Sequence, residues 1–342
     1  MEENKIHKFK EIIDNASRIV IIQADNPDGD SLGSSIALEQ ILTTLGKDVY
    51  MYCSVDIPTY LRYIPAWSRV QKELPNNFDL SIIVDTSTIT LLDNLDPLKL
   101  NQIKSNPCIM LDHHVSDASI DFASLYINNE TVSTSELIYN ISKELNLELN
   151  NEALESILIA ILSDSLGLTT PNVTPACIRT VAEIVEAGIS ISELEEKRRE
   201  TYKKSVDLTK YKGRLLERIE TYLDDQLAML TIPYDEIVRF SPHYNPPMLV
   251  MEDMRLIEGN KIVIALKQYN DGRILGKIRS NSGWPIAEKL AANFGGGGHD
   301  YSSGFKTYDY PDINELKRQI ISKTNELLEE EKKKNEVIQY PN

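Results

Sequence analysis

The sequence predicts an α/β protein in two parts: an N-terminal, mostly parallel sheet with helices on both faces, then a helical connector and a smaller C-terminal α+β domain. Three observations carry this reading. Short apolar runs of strand length alternate with segments of helical periodicity in the first part of the chain. A strongly charged stretch from 189 to 225 interrupts that rhythm, and a second set of strand-like runs, one pair joined by an Asn-Asp-Gly turn, follows it.

The first strands are expected in "RIVIIQA" (18–24), "DVYMYCS" (48–54), "LSIIVDTS" (80–87) and "CIMLDHH" (108–114). Helical periodicity between them, as in "SLGSSIALEQILTTLG", provides the crossovers that parallel strands require. "STSELIYNISKELN" and "NEALESILIAILSDSLGL" predict two further helices, the second apolar enough to be buried yet carrying Asp164 near its end. The stretch "ISELEEKRRETYKKSVDLTKYKGRLLERIETYLDD" reads as a solvated helical linker. Beyond it "QLAMLTIP", "KIVIALKQYNDGRILGKIRSN" and "GFKTY" read as strands, and the charged tail "ELLEEEKKKNEVIQYPN" as a fraying helix end. The boundaries are therefore 1–188, 189–225, 226–330 and 331–342.

Composition limits what such a chain can do. At 342 residues, 42% hydrophobic and 26% charged, it is long enough for two domains with a core each. Its three cysteines, Cys53, Cys108 and Cys177, form no C-x-x-C pair, so neither a disulfide framework nor a thiolate metal site is indicated. No run approaches the ~18 apolar residues of a membrane span, and the N-terminus lacks the pattern of a leader, which places the chain in the cytoplasm with no membrane partner. A net charge of −16 repels long polyanions. Any nucleic-acid ligand is expected to be short and held at a locally positive site, and long duplexes are not expected to bind.

The acids collect at one edge. In open parallel sheets ligands bind outside the carboxyl ends of the strands. Asp25, Asp28 and Asp30 follow the first strand, Asp85 ends the third, and Asp112, His113 and His114 end the fourth. Turn chemistry and a helix N-terminus account for one or two of these; the remaining negative charge calls for a cation. Carboxylates with imidazole and no thiolate suit Mn²⁺, Mg²⁺, Zn²⁺ or Co²⁺, and a carboxylate-rich set leans toward Mn²⁺ or Mg²⁺. Of five histidines, two are adjacent in "LDHHVSD" and a third, His299, follows four glycines. Gly296, Gly297 and Gly298 can bring backbone N–H groups close to a phosphate, and Arg279, followed by Ser280, can pair with phosphate oxygens through its planar fork.

Taken in order, "NPDGDSLGS", "VDTS", "LDHH", "SDS" around Asp164 and "GGGGH" resemble the DHH/DHHA1 phosphoesterases, in particular their short bacterial branch of oligoribonucleases and 3′-phosphoadenosine-5′-phosphate phosphatases. The resemblance covers about residues 10 to 325. It implies an N-terminal DHH domain with a metal centre and a C-terminal DHHA1 domain that captures substrate. It implies Asp30, Asp85, His113 and Asp164 as one metal site, with Asp85 bridging to a second site that includes Asp28. His114 would contact the scissile phosphate and leaving group, and Arg279, Ser280, the glycine run and His299 would bind substrate. One position departs: Ala24 stands where the family places a histidine. Asp25 is the first candidate to replace it, ahead of Gln23 and Asn26, and the expected ion count is two, falling to one if that site is empty. The implied activity is metal-dependent hydrolysis of short oligonucleotides to mononucleotides. The alternatives are hydrolysis of 3′-phosphoadenosine-5′-phosphate or of linear or cyclic dinucleotides, and a nucleotide-binding pseudoenzyme; a homodimer stays open.

Overall fold

The computed structural model describes residues 3–114 and 118–339, which divide into two compact units between Lys203 and Lys204. Val115, Ser116 and Asp117, the end of the "LDHHVSD" motif, and the last three residues of the tail lie outside the described residues.

The first unit is built on a five-stranded, all-parallel sheet in the order β2-β1-β3-β4-β5, from strands Arg18–Ile22 (β1), Asp48–Tyr52 (β2), Leu80–Val84 (β3), Cys108–Asp112 (β4) and Leu125–Asn128 (β5). The fifth strand has no counterpart in the expectations: four residues, "LYIN", are too few to show a period. Ile19 and Ile21 point into one core with helices Glu3–Asn15 (α1), Gly29–Thr44 (α2), Thr134–Glu144 (α4), Asn151–Asp164 (α5) and Pro175–Glu186 (α6). Val20 and Ile22 point into the other, against Pro97–Ser105 (α3) and the short turns around it. Both faces are thus covered, as the near-continuous apolar runs require. Each fully buried Ile or Leu contributes roughly 1.5–3 kcal/mol by leaving water.

Helices α2 and α5 approach closely because α2 has glycines where they meet. A Cβ on Gly33 would lie 2.7 Å from the Ser156 carbonyl, and one on Gly29 2.1 Å from Ser163 Oγ. That contact sets Asp164, the last residue of α5, beside the N-terminal turn of α2 that carries Asp30.

The second unit carries a six-stranded mixed sheet, β10-β11-β9-β8-β7-β6, from Glu220–Tyr222 (β6), Leu227–Ile232 (β7), Ile262–Gln268 (β8), Ile274–Ser280 (β9), Gly297–His299 (β10) and Ser302–Thr307 (β11). The Asn-Asp-Gly turn joins β8 and β9 as an antiparallel hairpin. One face packs on Ala287–Ala292 (α11) and Ile313–Gln339 (α12), the other on Val206–Glu217 (α8), Tyr234–Phe240 (α9) and Met251–Arg255 (α10).

The 189–225 stretch is not a uniform solvated linker. Ile191–Thr201 (α7) belongs to the first unit, whereas α8 belongs to the second, with Tyr211 and Leu215 fully buried and the Tyr211 ring stacked on Phe240 at 3.7 Å. Its charges line the outer side of α8 and hide a narrow apolar stripe, so average charge misreads it. The tail is part of α12, which runs to Gln339.

Candidate metal centre

At the carboxyl edge of the parallel sheet, each motif turns into the site by a local device. Asp28 caps α2: its Oδ1 accepts from the amides of Asp30 and Ser31, both at 3.0 Å, and Ser31 Oγ accepts the Asp28 amide at 2.9 Å. Asp30, fully buried, lies between two helix N-termini. Its Oδ1 accepts from Ser34 Oγ at 3.0 Å and the Ser135 amide at 3.1 Å, and its Oδ2 from the Thr134 amide at 2.6 Å. Asp85 takes a left-handed backbone, φ 59°, immediately after β3, which turns its side chain off the strand path, and its Oδ1 accepts from Thr134 Oγ1 at 3.1 Å.

His113 is the centre of the arrangement. Its Nδ1 faces the Thr131 carbonyl at 3.2 Å, a group that can only accept, so in the neutral ring Nδ1 carries the proton and Nε2 the lone pair. Nε2 is buried, makes no well-formed hydrogen bond, and sits 3.2 Å from Asp164 Oδ2, 3.6 Å from Asp85 Oδ1 and 3.8 Å from Asp30 Oδ2. Ligand atoms of Asp30, His113 and Asp164 lie within 4.8 Å of one another, and so do those of Asp85, His113 and His114.

The electrostatics show how badly this cluster needs a positive charge. Burial, reinforced by Asp164, raises the Asp30 pKa to about 6, and burial with Asp30, Asp28 and Asp164 nearby raises that of Asp85 well above the ordinary carboxylate range. Burial opposes charging His113, but the approach of Asp164 and the charge of Asp30 outweigh it and raise its pKa to about 9. Without an ion, protons supply the charge. An oxygen-rich pocket with one imidazole nitrogen aimed into it, able to exchange its proton for a metal, fits a divalent cation.

His114 has a different environment. It is half-exposed, and its Nδ1 donates to Asp112 Oδ1 at 2.7 Å, a contact that raises its pKa. The same Asp112 oxygen accepts the His113 amide at 2.9 Å and holds the tandem histidines in place.

Residues 18–161 match the DHH family, N-terminal domain. Over most of its length the chain is also similar to the bifunctional oligoribonuclease and PAP phosphatase NrnA of Thermus thermophilus, 24% identical over 305 residues, covering 89% of this chain and 88% of that protein. It is 22% identical over 302 residues to the protein of the same name in Bacillus subtilis, covering 87% and 92%. In fold it resembles the crystal structure of an exopolyphosphatase-related protein from Bacteroides fragilis, with a TM-score of 0.80, 22% identity and coverage of 96% and 98%.

The departure from the DHH pattern at Ala24 has a structural outcome different from the expected one. Asp25 does not join the cluster. Its Oδ1 accepts from Ser54 Oγ and its Oδ2 from the Asn94 amide at 2.8 Å, while its own amide donates to Leu91 at 2.8 Å. Asp25 ties the loop before α2 to its neighbours, and both of its carboxylate oxygens have partners outside the cluster. Gln23, placed lower from sequence, is fully buried, with neither Oε1 nor Nε2 hydrogen-bonded. Pairing of Ile22 with Ile83 sets it beside Val84, the residue before Asp85.

Thr134 and Ser135, which hold Asp30 and Asp85, were not among the expected site residues. Their signal in "STSE" is a helix cap, and nothing in one sequence says that the same cap faces two carboxylates 49 and 104 residues away. A cavity of 740 Å³ opens beside Asp28, with Tyr60, Tyr63 and Tyr202 in its wall.

In the second unit the expected residues divide by face. Register sets Arg279, Ser302 and His299 side by side on one face of the sheet. Ser280, next along β9, points to the opposite face, 1% exposed with its hydroxyl unbonded, so its side chain is not beside Arg279. Nor are the glycines all free for an anion. A Cβ on Gly296 would lie 2.2 Å from the Gly304 carbonyl, one on Gly298 2.7 Å from the Ser302 carbonyl, and Gly295 has φ 72°. Gly297 alone of the four has a negative or extended φ and open space where a Cβ would be.

Proposed function

We propose that the protein is a divalent-metal-dependent phosphoesterase that hydrolyses short oligonucleotides to mononucleotides and accepts 3′-phosphoadenosine-5′-phosphate at the same centre. The observation that carries this reading is the buried, unbonded Nε2 of His113 facing Asp30, Asp85 and Asp164, with the half-exposed His114 held beside it by Asp112. The activity named for the two NrnA relatives supports it.

Asp30, His113, Asp164 and Asp85 would hold one ion, and Asp85 and Asp28, with Gln23 Oε1 in place of the family imidazole, would hold a second. Bound divalent ions, Mn²⁺ or Mg²⁺, supply Lewis-acid charge at the phosphoryl oxygens and a nucleophile from water at neutral pH. The chain's own residues do the rest. Thr134 and Ser135 fix the carboxylates before substrate arrives, so no reorganisation is required of them during reaction. His114, kept protonated on Nδ1 by Asp112, presents Nε2 to the leaving oxygen and can donate a proton there. Arg279 and His299 take a terminal phosphate, and the tyrosines beside Asp28 offer a surface for a base.

Among the described residues no helix is long and apolar enough to cross a membrane, and Cys53, Cys108 and Cys177 are free and buried, which supports a cytoplasmic place for this chemistry. The test is hydrolysis of 5′-labelled di- to pentanucleotides, 3′-phosphoadenosine-5′-phosphate and bis(p-nitrophenyl) phosphate with Mn²⁺ or Mg²⁺. Release of mononucleotides from the oligomers is expected; binding without any turnover would instead make the protein a nucleotide-binding pseudoenzyme.

A further inference from the structure

One face of the second unit's sheet is covered only in part. Val263 and Ala265 of β8 and the facing residues of β7 lie under α8, α9 and α10. Past β8 the same face continues onto β9, β11 and β10, and there the register stacks three rows. Arg279, Ser302 and His299 form the first; Lys277, Gly304 and Gly297 the second; Lys267, Leu275 and Lys306 the third.

Four cations thus share one face of a chain whose net charge is −16, and among the described residues none of the four is in an ion pair. Lys277 Nζ has only the Met248 sulfur, at 3.1 Å, and Glu252, the acid felt at Arg279, is itself paired with Arg255 at 3.1 Å. Partial burial, with Arg279 close to Lys277 and Lys277 close to Lys267, lowers the pKa of both lysines. Like charges set side by side without counter-ions need an anion from outside. The middle row is floored by two glycines, and a Cβ at Gly297 would meet nothing within 4 Å. Residues two apart on a strand are about 6.7 Å apart, so each row offers its cations to a different phosphate of a strand laid along it.

We infer that Lys277, and beyond it Lys267 with Lys306, extend the Arg279 subsite into a track for successive phosphates of a single-stranded oligonucleotide three to four residues long. The inference rests on the oligonucleotide reading above and deepens it. A ligand with its phosphates on one nucleoside uses the first row alone, whereas longer chains occupy the second and third. The bare glycine floor lets the backbone lie on the sheet, and no base-specific contact is involved, so the track reads length and charge rather than sequence.

The test uses the full-length protein with Lys277→Ala, Lys267→Ala/Lys306→Ala and the charge-conserving Lys277→Arg. All three lysines are at least partly exposed, so the fold tolerates these changes. For oligoadenylates of two to five nucleotides, Lys277→Ala is expected to raise KM about tenfold from the trimer upward. It should leave 3′-phosphoadenosine-5′-phosphate within about twofold, with Lys277→Arg near wild type. The double variant should act one nucleotide later. Anisotropy of a 5′-fluorescein pentanucleotide with the metal-free protein gives a second readout: the slope of log affinity on log salt should become shallower by about 0.7 for each cation removed. Equal losses at all lengths, or an unchanged salt slope, would overturn the track. Hydrolysis without length-dependent effects sinks the track and keeps the phosphoesterase reading; length-dependent binding without hydrolysis does the reverse.

Discussion

The carboxyl edge of the first unit's sheet and the uncovered face of the second unit's sheet are both clusters of like charge, but they are built in opposite ways. At the edge, Asp30 and Asp85 are buried and His113 and Asp164 are partly so, and the oxygens of the two buried acids are held by backbone amides and hydroxyls of two helix starts. On the face, the cations are half-exposed, spaced along strands, and held by little beyond their own stems. The difference is one of tolerance. A buried charge cluster must keep fixed geometry and a counter-ion, because each uncompensated charge costs several kcal/mol. A half-exposed row can wait for its ligand in water at small cost. Chemistry belongs to the first kind of site and capture to the second, so mutations at the edge should act on turnover and metal, those on the face on KM and salt dependence.

Asp85 gives the largest expected effect. Asp85→Asn keeps a residue suited to the left-handed backbone at φ 59° while removing the charge shared with Asp30 and Asp164. Turnover should fall by at least about a thousandfold, about 4 kcal/mol, while the metal-free protein melts at a higher temperature than wild type because a repulsive buried charge has gone. Asp85→Ala should be equally inactive but about 1–2 kcal/mol less stable than Asn, from the backbone conformation alone. A variant retaining more than a tenth of the wild-type rate would place the chemistry elsewhere.

How much of this contrast could be read from the sequence follows from the range of the signals. Strand ends and the helix cap at Asp28 are local, so the parallel sheet and its loaded edge were legible, as were the residues that cluster there. The role of Asp25 was not. Asp25 and Asp30 are the same residue type in the same turn, and what separates them is Ser54 and Asn94 on one side and Thr134 and Ser135 on the other. Those partners are distant in sequence and carry no spacing rule. For the same reason four glycines in a row suggested an anion loop, whereas close approach to β11 explains Gly296 and Gly298, and the left-handed φ of 72° explains Gly295.

The tandem histidines sharpen the comparison within the edge itself, since the His113 side chain is 11% exposed with Nε2 buried and that of His114 is 53% exposed. His114→Asn should lower kcat by about a hundredfold, the range of a lost general acid, while the number of bound ions stays as in wild type. His113→Asn should lose an ion as well. Equal metal loss in both, measured by calorimetry, would mean that His114 is a ligand and not a proton donor.

Proton linkage is the next, smaller effect, about tenfold in ion affinity per pH unit. In the absence of an ion His113, raised to about 9, is protonated at neutral pH, and Asp30, raised to about 6, is partly so. An ion must displace these protons, so apparent Mn²⁺ affinity should climb from pH 6 to about 9 and then level, with a steeper dependence below 6 where Asp30 also holds its proton. Titrations in buffers of different ionisation enthalpy should reveal about one proton released per ion at pH 7.5. An affinity flat across that range would mean the cluster does not bind the ion through His113.

The smallest effects decide what replaced the histidine absent at Ala24. Asp25→Ala removes acceptors for the Ser54 hydroxyl and the Asn94 amide, so it should cost about 1–2 kcal/mol of stability and leave the ion count unchanged. Gln23→Leu works in the other direction. A buried amide with no partner costs about 1–3 kcal/mol, so replacing it with an apolar side chain of similar size should raise the melting temperature of the metal-free protein. If Gln23 Oε1 is a ligand, the same variant should bind one Mn²⁺ where wild type binds two, and Ala24→His placed on top of it should bring the second ion back. A Gln23→Leu protein that is more stable and still binds two ions would leave the second site to Asp28 and Asp85 alone, and the orphaned amide would then be a stability defect without a role in the metal centre.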